Sequence, residues 1–189
     1  MRTLFLIAVL LAWPALAGEP VTVLDVHGAR QTPLELKEKK AAVLFFVLHD
    51  CPIANGYAPE INRICAEYAP KGYAFFVVHI DPGLKAADAR KHAEEYGFRC
   101  PILLDGAHAL AKLAGATVTP EAAVFGADGK VLYRGRIDDL YTDLGKKRAE
   151  PRQRDLRAAL DALSAGKPVP TATTQAVGCL ISETRSGKK

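Results

Sequence analysis

The chain has 189 residues, of which 49% are hydrophobic and 24% charged, a size and balance that fit one domain with a substantial core. Its net charge of +4, from 25 Lys and Arg against 21 Asp and Glu, is too mild to argue for nucleic acid as a partner. Four cysteines permit disulfides and allow three full pairings, which the sequence alone does not rank.

The first residues, MRTLFLIAVLLAWPALAGEP, set Arg2 ahead of an apolar run from Leu4 to Trp13 and close on the small-residue triplet Ala15-Leu16-Ala17. That shape predicts a secretory signal peptide over residues 1–17, cleaved after Ala17, and a mature protein outside the cytoplasm, periplasmic or extracellular. A membrane anchor would need roughly 18 consecutive apolar residues, and Pro14 and Gly18-Glu19-Pro20 arrive too early. No membrane span is expected after cleavage.

Val21 to Val26 alternates in polarity before Gly28 and predicts a short strand or hairpin arm. Ala41 to Leu48, AAVLFFVL, is a continuous apolar run of the kind found in strands buried on both faces. Pro59 to Tyr68 places Ile61, Ile64, Cys65 and Tyr68 on one helical face, and a second buried strand follows at Tyr73 to Ile80. Ala86 to Tyr96 and Ala107 to Ala114 read as helices stopped by Gly97 and Gly115, with a short strand at Pro101 to Leu104 between them. The alternation of strand and helix predicts a parallel sheet core. Pro120 to Phe125 and Lys130 to Arg136 flank an Asp-Gly turn and predict an antiparallel hairpin, and Asp155 to Leu163 predicts a closing helix. The basic cluster from Lys146 to Arg157 reads as a solvated helix face. One domain over 18–166 is expected, followed by a loop-like, Pro- and Thr-rich tail, 167–189, carrying Cys179.

Cys51 follows the apolar strand after only His49 and Asp50, with Pro52 at the first helical position, where a missing N–H costs nothing. A thiol at a helix start faces unpaired N–H groups and the positive end of the helix dipole, which favour the nucleophilic thiolate. Cys179, in a Gly-containing segment able to swing, is the first choice for a resolving thiol and Cys100 the second. Cys65, on an apolar helix face, reads as core, with a Cys65–Cys100 bridge as the alternative. The five histidines, His27, His49, His79, His92 and His108, lack metal-ligand spacing and read as surface or turn residues, so neither a metal nor another cofactor is expected. Gly126 to Gly129 lies in a hairpin turn and is not a phosphate loop. Arg134, Arg136, Asp138 and Asp139 end a strand, either as pocket lining or as an exposed charged loop.

A buried strand, Cys51-Pro52 at a helix start, then Val118-Thr119-Pro120 opening a hairpin strand resembles the redoxin branch of the thioredoxin superfamily, which contains the AhpC/TSA-like and TlpA-like proteins. FRCPILLD (98–105) is similar to that branch's insertion, and YRGRIDD (133–139) with the late Val177-Gly178-Cys179 is similar to its peroxiredoxin-like subgroup. The resemblance implies an α/β thioredoxin-like fold with a central mixed sheet flanked by helices. It also implies a cis Thr119-Pro120 bond beside Cys51, whose flanking backbone pairs with a thiol-bearing substrate.

Cys51 and Cys179 are then the expected catalytic residues, with Pro52, Thr119, Pro120 and Arg136 around the substrate, which would be a thiol or disulfide protein or a small peroxide. Three departures narrow the reaction. A CxxC dithiol would need a cysteine where Ala54 stands. A peroxidatic site would need Pro and Thr where Leu44 and Leu48 stand. A Sco-type copper site would need a cysteine where Asn55 stands. A thiol oxidoreductase is the expected function, with a copper-holding module or a redox-inert adaptor as alternatives.

Overall fold

The computed structural model describes residues 20–182, so the expected signal peptide lies outside the described residues. The short strands β1 (Val23–Asp25) and β2 (Arg30–Gln31) form an antiparallel arm. Next comes β3 (Ala41–Val47), buried at every position. Val43, Phe45 and Val47 point into one apolar cluster and Ala42, Leu44 and Phe46 into another. A strand alternates its side chains between two faces, so an unbroken apolar run means that both faces are covered.

The chain then runs through α1 (Pro52–Gly56), α2 (Ala58–Tyr68), β4 (Tyr73–His79), α3 (Ala86–Glu95), β5 (Ile102–Leu104) and α4 (Ala109–Ala114). After the two-residue β6 (Val118–Thr119), β7 (Glu121–Gly126) and β8 (Val131–Gly135) form the expected hairpin. A small hairpin, β9 (Tyr141–Asp143) and β10 (Lys146–Lys147), precedes α5 (Asp155–Ser164), and β11 (Cys179–Leu180) lies in the tail.

The main sheet has the order β2-β1-β5-β4-β3-β7-β8. β3, β4 and β5 are mutually parallel, while β1 and β7 join them antiparallel, which makes the sheet mixed as expected. One face is covered by α2, α3 and α5 through Ile61, Ile64, Ala89, Leu156 and Leu160, and the other by α4 through Leu110, Ala111 and Ala114. Among the described residues no helix is long and apolar enough to cross a membrane.

The structure corrects three expectations. Lys146 and Lys147 belong to β10, not to a helix face, and Arg157 reaches back to the buried Glu60 (Nε–Oε1 2.8 Å). Asp138 and Asp139 are buried: Asp138 accepts from Tyr57 Oη at 2.6 Å, and Asp139 accepts from the Arg152 and Gln153 backbone at 2.6 and 2.8 Å.

The tail is the third correction, because it is docked along the domain. Arg134 N donates to Ala172 O, Thr174 N to Arg134 O and Ile181 N to Thr117 O, all at 2.9–3.0 Å. Gly135, at φ 149, makes room for this course, since a Cβ there would collide with Thr174.

Candidate functional site

Cys51 is the N-cap of α1, in extended conformation (φ −88°, ψ 107°), and its carbonyl accepts the first helical bond from Asn55 N at 3.0 Å. Pro52 occupies the first helical position, as expected, where its ring presets the helical φ. The end of β3 thus delivers the thiol to a helix start, yet the residue is only 1% exposed.

Two elements close over it. Thr119, fully buried, is joined to Pro120 by a cis bond, and its carbonyl lies 3.2 Å from Cys51 Sγ. β11 runs antiparallel to β6, with Cys179 opposite Thr119 and Leu180 opposite Val118. This pairing sets Cys179 Sγ 2.8 Å from Cys51 Sγ, although 128 residues separate them in sequence. Gly178 permits the approach: a Cβ there would fall onto the Thr119 carbonyl, which as backbone does not swing aside.

The two sulfurs are electrostatically unequal. Burial pushes the Cys51 thiol up, but the bond from Cys179 Sγ, the Ala54 backbone and Thr119 together outweigh it and hold Cys51 below the ordinary thiol range. Burial, and then the Cys51 sulfur as hydrogen-bond partner and neighbouring charge, push Cys179 up to about 11. Of the two sulfurs, Cys51 therefore gives up its proton the more readily, and Cys179 is the one placed to donate a hydrogen bond to it. Tyr141 packs against Tyr57, ring centroids 5.3 Å apart and tilted by 49°, and flanks the site, its hydroxyl raised by burial and next by the Cys51 charge.

The remaining candidates are placed as follows. Cys100, second choice as resolving thiol, is bonded to Cys65, so the bridge replaces both the core reading of Cys65 and a redox role for Cys100. Cys51 and Cys179 are the free cysteines. The Arg136 guanidinium is held by Asp155 (Nε–Oδ2 2.7 Å) and Gln153 (Nη2–Oε1 2.5 Å), bonds that direct it to the start of α5. Arg134 pairs with the buried Glu121 at 3.5 Å.

The histidines differ most from expectation, since His79, His92 and His108 are buried. His92 Nε2 lies 2.9 Å from Asn55 Oδ1, and Asn55 Nδ2 donates to the His49 carbonyl at 3.2 Å, so α3 is tied to α1 behind Cys51. The rings of His49 and His79 lie 5.0 and 4.9 Å from that of His92. His79 Nδ1 is 3.4 Å from Asp81, which also accepts from His49 N at 3.1 Å. Among the described residues no group of three or more His, Cys, Asp or Glu side chains is placed to hold a metal ion. No local signal marked these histidines, because His79 and His92 are buried where α3 meets the end of β4, and His108, at the start of α4, is buried against the Ile80 carbonyl (Nε2–O 2.7 Å).

Burial, followed by the His79 and His49 charges, drives His92 down to about 4 from 6.5, against smaller opposing effects of Asp81 and Asp50. Between these values the unfolded chain binds more protons than the folded one, so stability is expected to fall as pH drops from 6.5 toward 4, by about 1–3 kcal/mol. Urea midpoints at pH 7 and 4.5 check this. A His92→Gln variant losing as much stability on acidification as the parent would refute the assignment.

The Redoxin family profile matches residues 16–147. Similar solved structures include a conserved protein of Geobacillus kaustophilus, 30% identical, covering 89% of this chain and 90% of that one with a TM-score of 0.76. A protein of Sinorhizobium meliloti is 27% identical over 88% of this chain and 92% of that one, TM-score 0.72. A secreted disulfide oxidoreductase of Mycobacterium tuberculosis is 18% identical over 77% and 92%, TM-score 0.50, a likeness of fold. No curated protein matches the chain. Cys51 and the Thr119-Pro120 bond fall inside the Redoxin match, and Cys179 falls beyond it.

Proposed function

The chain belongs to the Redoxin family of thioredoxin-fold proteins, and from that premise we propose that it is an exported thiol-disulfide oxidoreductase whose redox couple is Cys51 and Cys179. The observation that carries this reading is the 2.8 Å contact between the only two free cysteines among the described residues, one held below and one above the ordinary thiol range. Cysteines within one turn of Cys51 are absent, and β11 supplies from afar what Ala54 and Asn55 do not.

The reduced couple transfers two electrons to a disulfide R–S–S–R. A thiolate of the pair attacks one sulfur of R–S–S–R, forming a mixed disulfide and expelling one RS⁻. The second thiol of the pair loses its proton and attacks the protein sulfur of that mixed disulfide. The Cys51–Cys179 bond forms, the second RS⁻ leaves, and two RSH result. Run backwards, the same steps let a dithiol reduce the couple.

Peroxide reduction has less support, since Leu48 stands where a peroxidatic site carries its hydroxyl and Thr119 Oγ1 is turned to the Cys179 carbonyl at 3.5 Å. Export rests on the shape of residues 1–17. Peptide mapping after treatment with oxidised glutathione tests the couple. A Cys51–Cys179 disulfide alongside an unchanged Cys65–Cys100 bond is expected. Stable glutathione on Cys51 with Cys179 still a free thiol would overturn the reading.

A further inference from the structure

β6 ends at the cis Thr119-Pro120 bond and offers its backbone beside Cys51, and β11 already takes that edge. The tail is fastened at both ends of this contact. Thr174 is packed on Gly135, Gly178 lies on the Thr119 carbonyl, and Ile181 N donates to Thr117 O at 2.9 Å. Cys51 is left 1% exposed, whereas Cys179 is partly open to solvent and Leu180 beside it is 78% exposed.

We propose that β11 is a substrate-like strand held in cis, so that a thiol from outside exchanges with Cys179 while Cys51 exchanges with Cys179 alone. This rests on the reading that Cys51 and Cys179 are the redox couple. Thiol-disulfide exchange needs the nucleophile to reach the sulfur it attacks, and in the oxidised protein Cys179 is the reachable one. The outside thiolate attacks Cys179 Sγ, the Cys51–Cys179 bond breaks, and its electron pair leaves on Cys51 Sγ, which remains a thiolate. The better leaving group is the thiol with the lower pKa, which agrees with this direction. A second thiol of the same partner then attacks the partner's own sulfur in the mixed disulfide and expels Cys179, which takes up a proton. The partner that fits is therefore a dithiol protein able to resolve its own mixed disulfide, approaching the exposed side of β11.

The test opens the oxidised full-length protein with reduced glutathione, quenches with N-ethylmaleimide over a time course, and maps both cysteines, extrapolating to zero time. Glutathione is expected on Cys179 with maleimide on Cys51, exceeding the converse product about tenfold. Gly178→Val, whose side chain meets the Thr119 carbonyl and lifts the strand, is expected to bring that ratio to unity or below. The same variant should raise maleimide labelling of Cys51 in the reduced protein about tenfold. Gly178→Ala, with a smaller side chain against the same carbonyl, serves if valine disturbs the fold.

Glutathione first on Cys51, or on both sulfurs equally, in the parent protein overturns the proposal while leaving the couple intact. So does a bond that opens only in the Gly178 variants, which would mean that the docked strand shields both sulfurs. If no Cys51–Cys179 bond forms on oxidation, the couple itself fails.

Discussion

Replacing Cys179 is expected to lower turnover with a disulfide substrate by at least about 10²-fold, because the sulfur that outside groups reach is lost and Cys51, which remains, is 1% exposed and has no second sulfur held in place beside it. Two replacements separate the roles of this residue. In Cys179→Ser the hydroxyl can still donate to the Cys51 thiolate, whereas in Cys179→Ala the donor is gone. The bond from Cys179 is the largest of the influences holding Cys51 down, standing against burial, which pushes it up. The pH at which Cys51 is half-alkylated by iodoacetamide should therefore rise in Cys179→Ala and rise less in Cys179→Ser. In both variants Cys51, 1% exposed, should take up glutathione only slowly. Cys51→Ser should not turn over, since Cys179 can take up glutathione but no second sulfur remains beside it to resolve the mixed disulfide. Equal alkylation profiles in all three proteins with Cys51 would show that the sulfur contact has no electrostatic consequence.

Where the sequence was legible, the reason is local. AAVLFFVL announces a strand covered on both faces because the covering layers leave no position polar, and β3 is that strand. Cys51-Pro52 announces a helix start because proline suits that position and few others in a helix. What escaped depends on contacts between distant segments. Lys146 and Lys147 pair only with the adjacent short strand Tyr141–Asp143, a contact that the basic run from Lys146 to Arg157 does not signal, so that run reads as one solvated helix face. His79 and His92 are buried by the packing of α3 on β4, for which neither residue carries a signal in its neighbours.

The tail shows the same limit from another side. Residues 172–181 have no strand period, and their order comes from β6 and β8 and from two glycines, Gly135 and Gly178, that let backbone lie on backbone. From the sequence alone, Cys179 is a candidate because a Gly-containing segment can swing. In the structure it reaches Cys51 because a two-residue strand pairs with β6 and holds it there.

The second large effect concerns stability. The Cys65–Cys100 bond closes a loop of 35 residues that runs from α2 through β4 and α3 to the start of β5. Constraining an unfolded chain over a loop of that length stabilises the fold by about 3–4 kcal/mol on the chain-entropy account. The Cys65→Ala, Cys100→Ala double variant is expected to lose that much, which for a domain of this size lowers Tm by roughly 10 °C.

Both residues must be changed together. Cys100→Ala alone frees Cys65, partly exposed on the helix that follows α1, and adds a third thiol able to capture substrate disulfides and confuse the mapping at Cys51. Thermal melts of the double variant give the stability, and oxidation by glutathione below its lowered Tm gives the chemistry. The loss of stability should come without loss of the Cys51–Cys179 bond, since neither Cys65 nor Cys100 contributes to the strand pairing or the helix start that bring those two sulfurs together. A double variant that melts with the parent would mean that the unfolded chain is already constrained over this loop, whereas one that cannot form the Cys51–Cys179 bond would make the bridge part of the redox site.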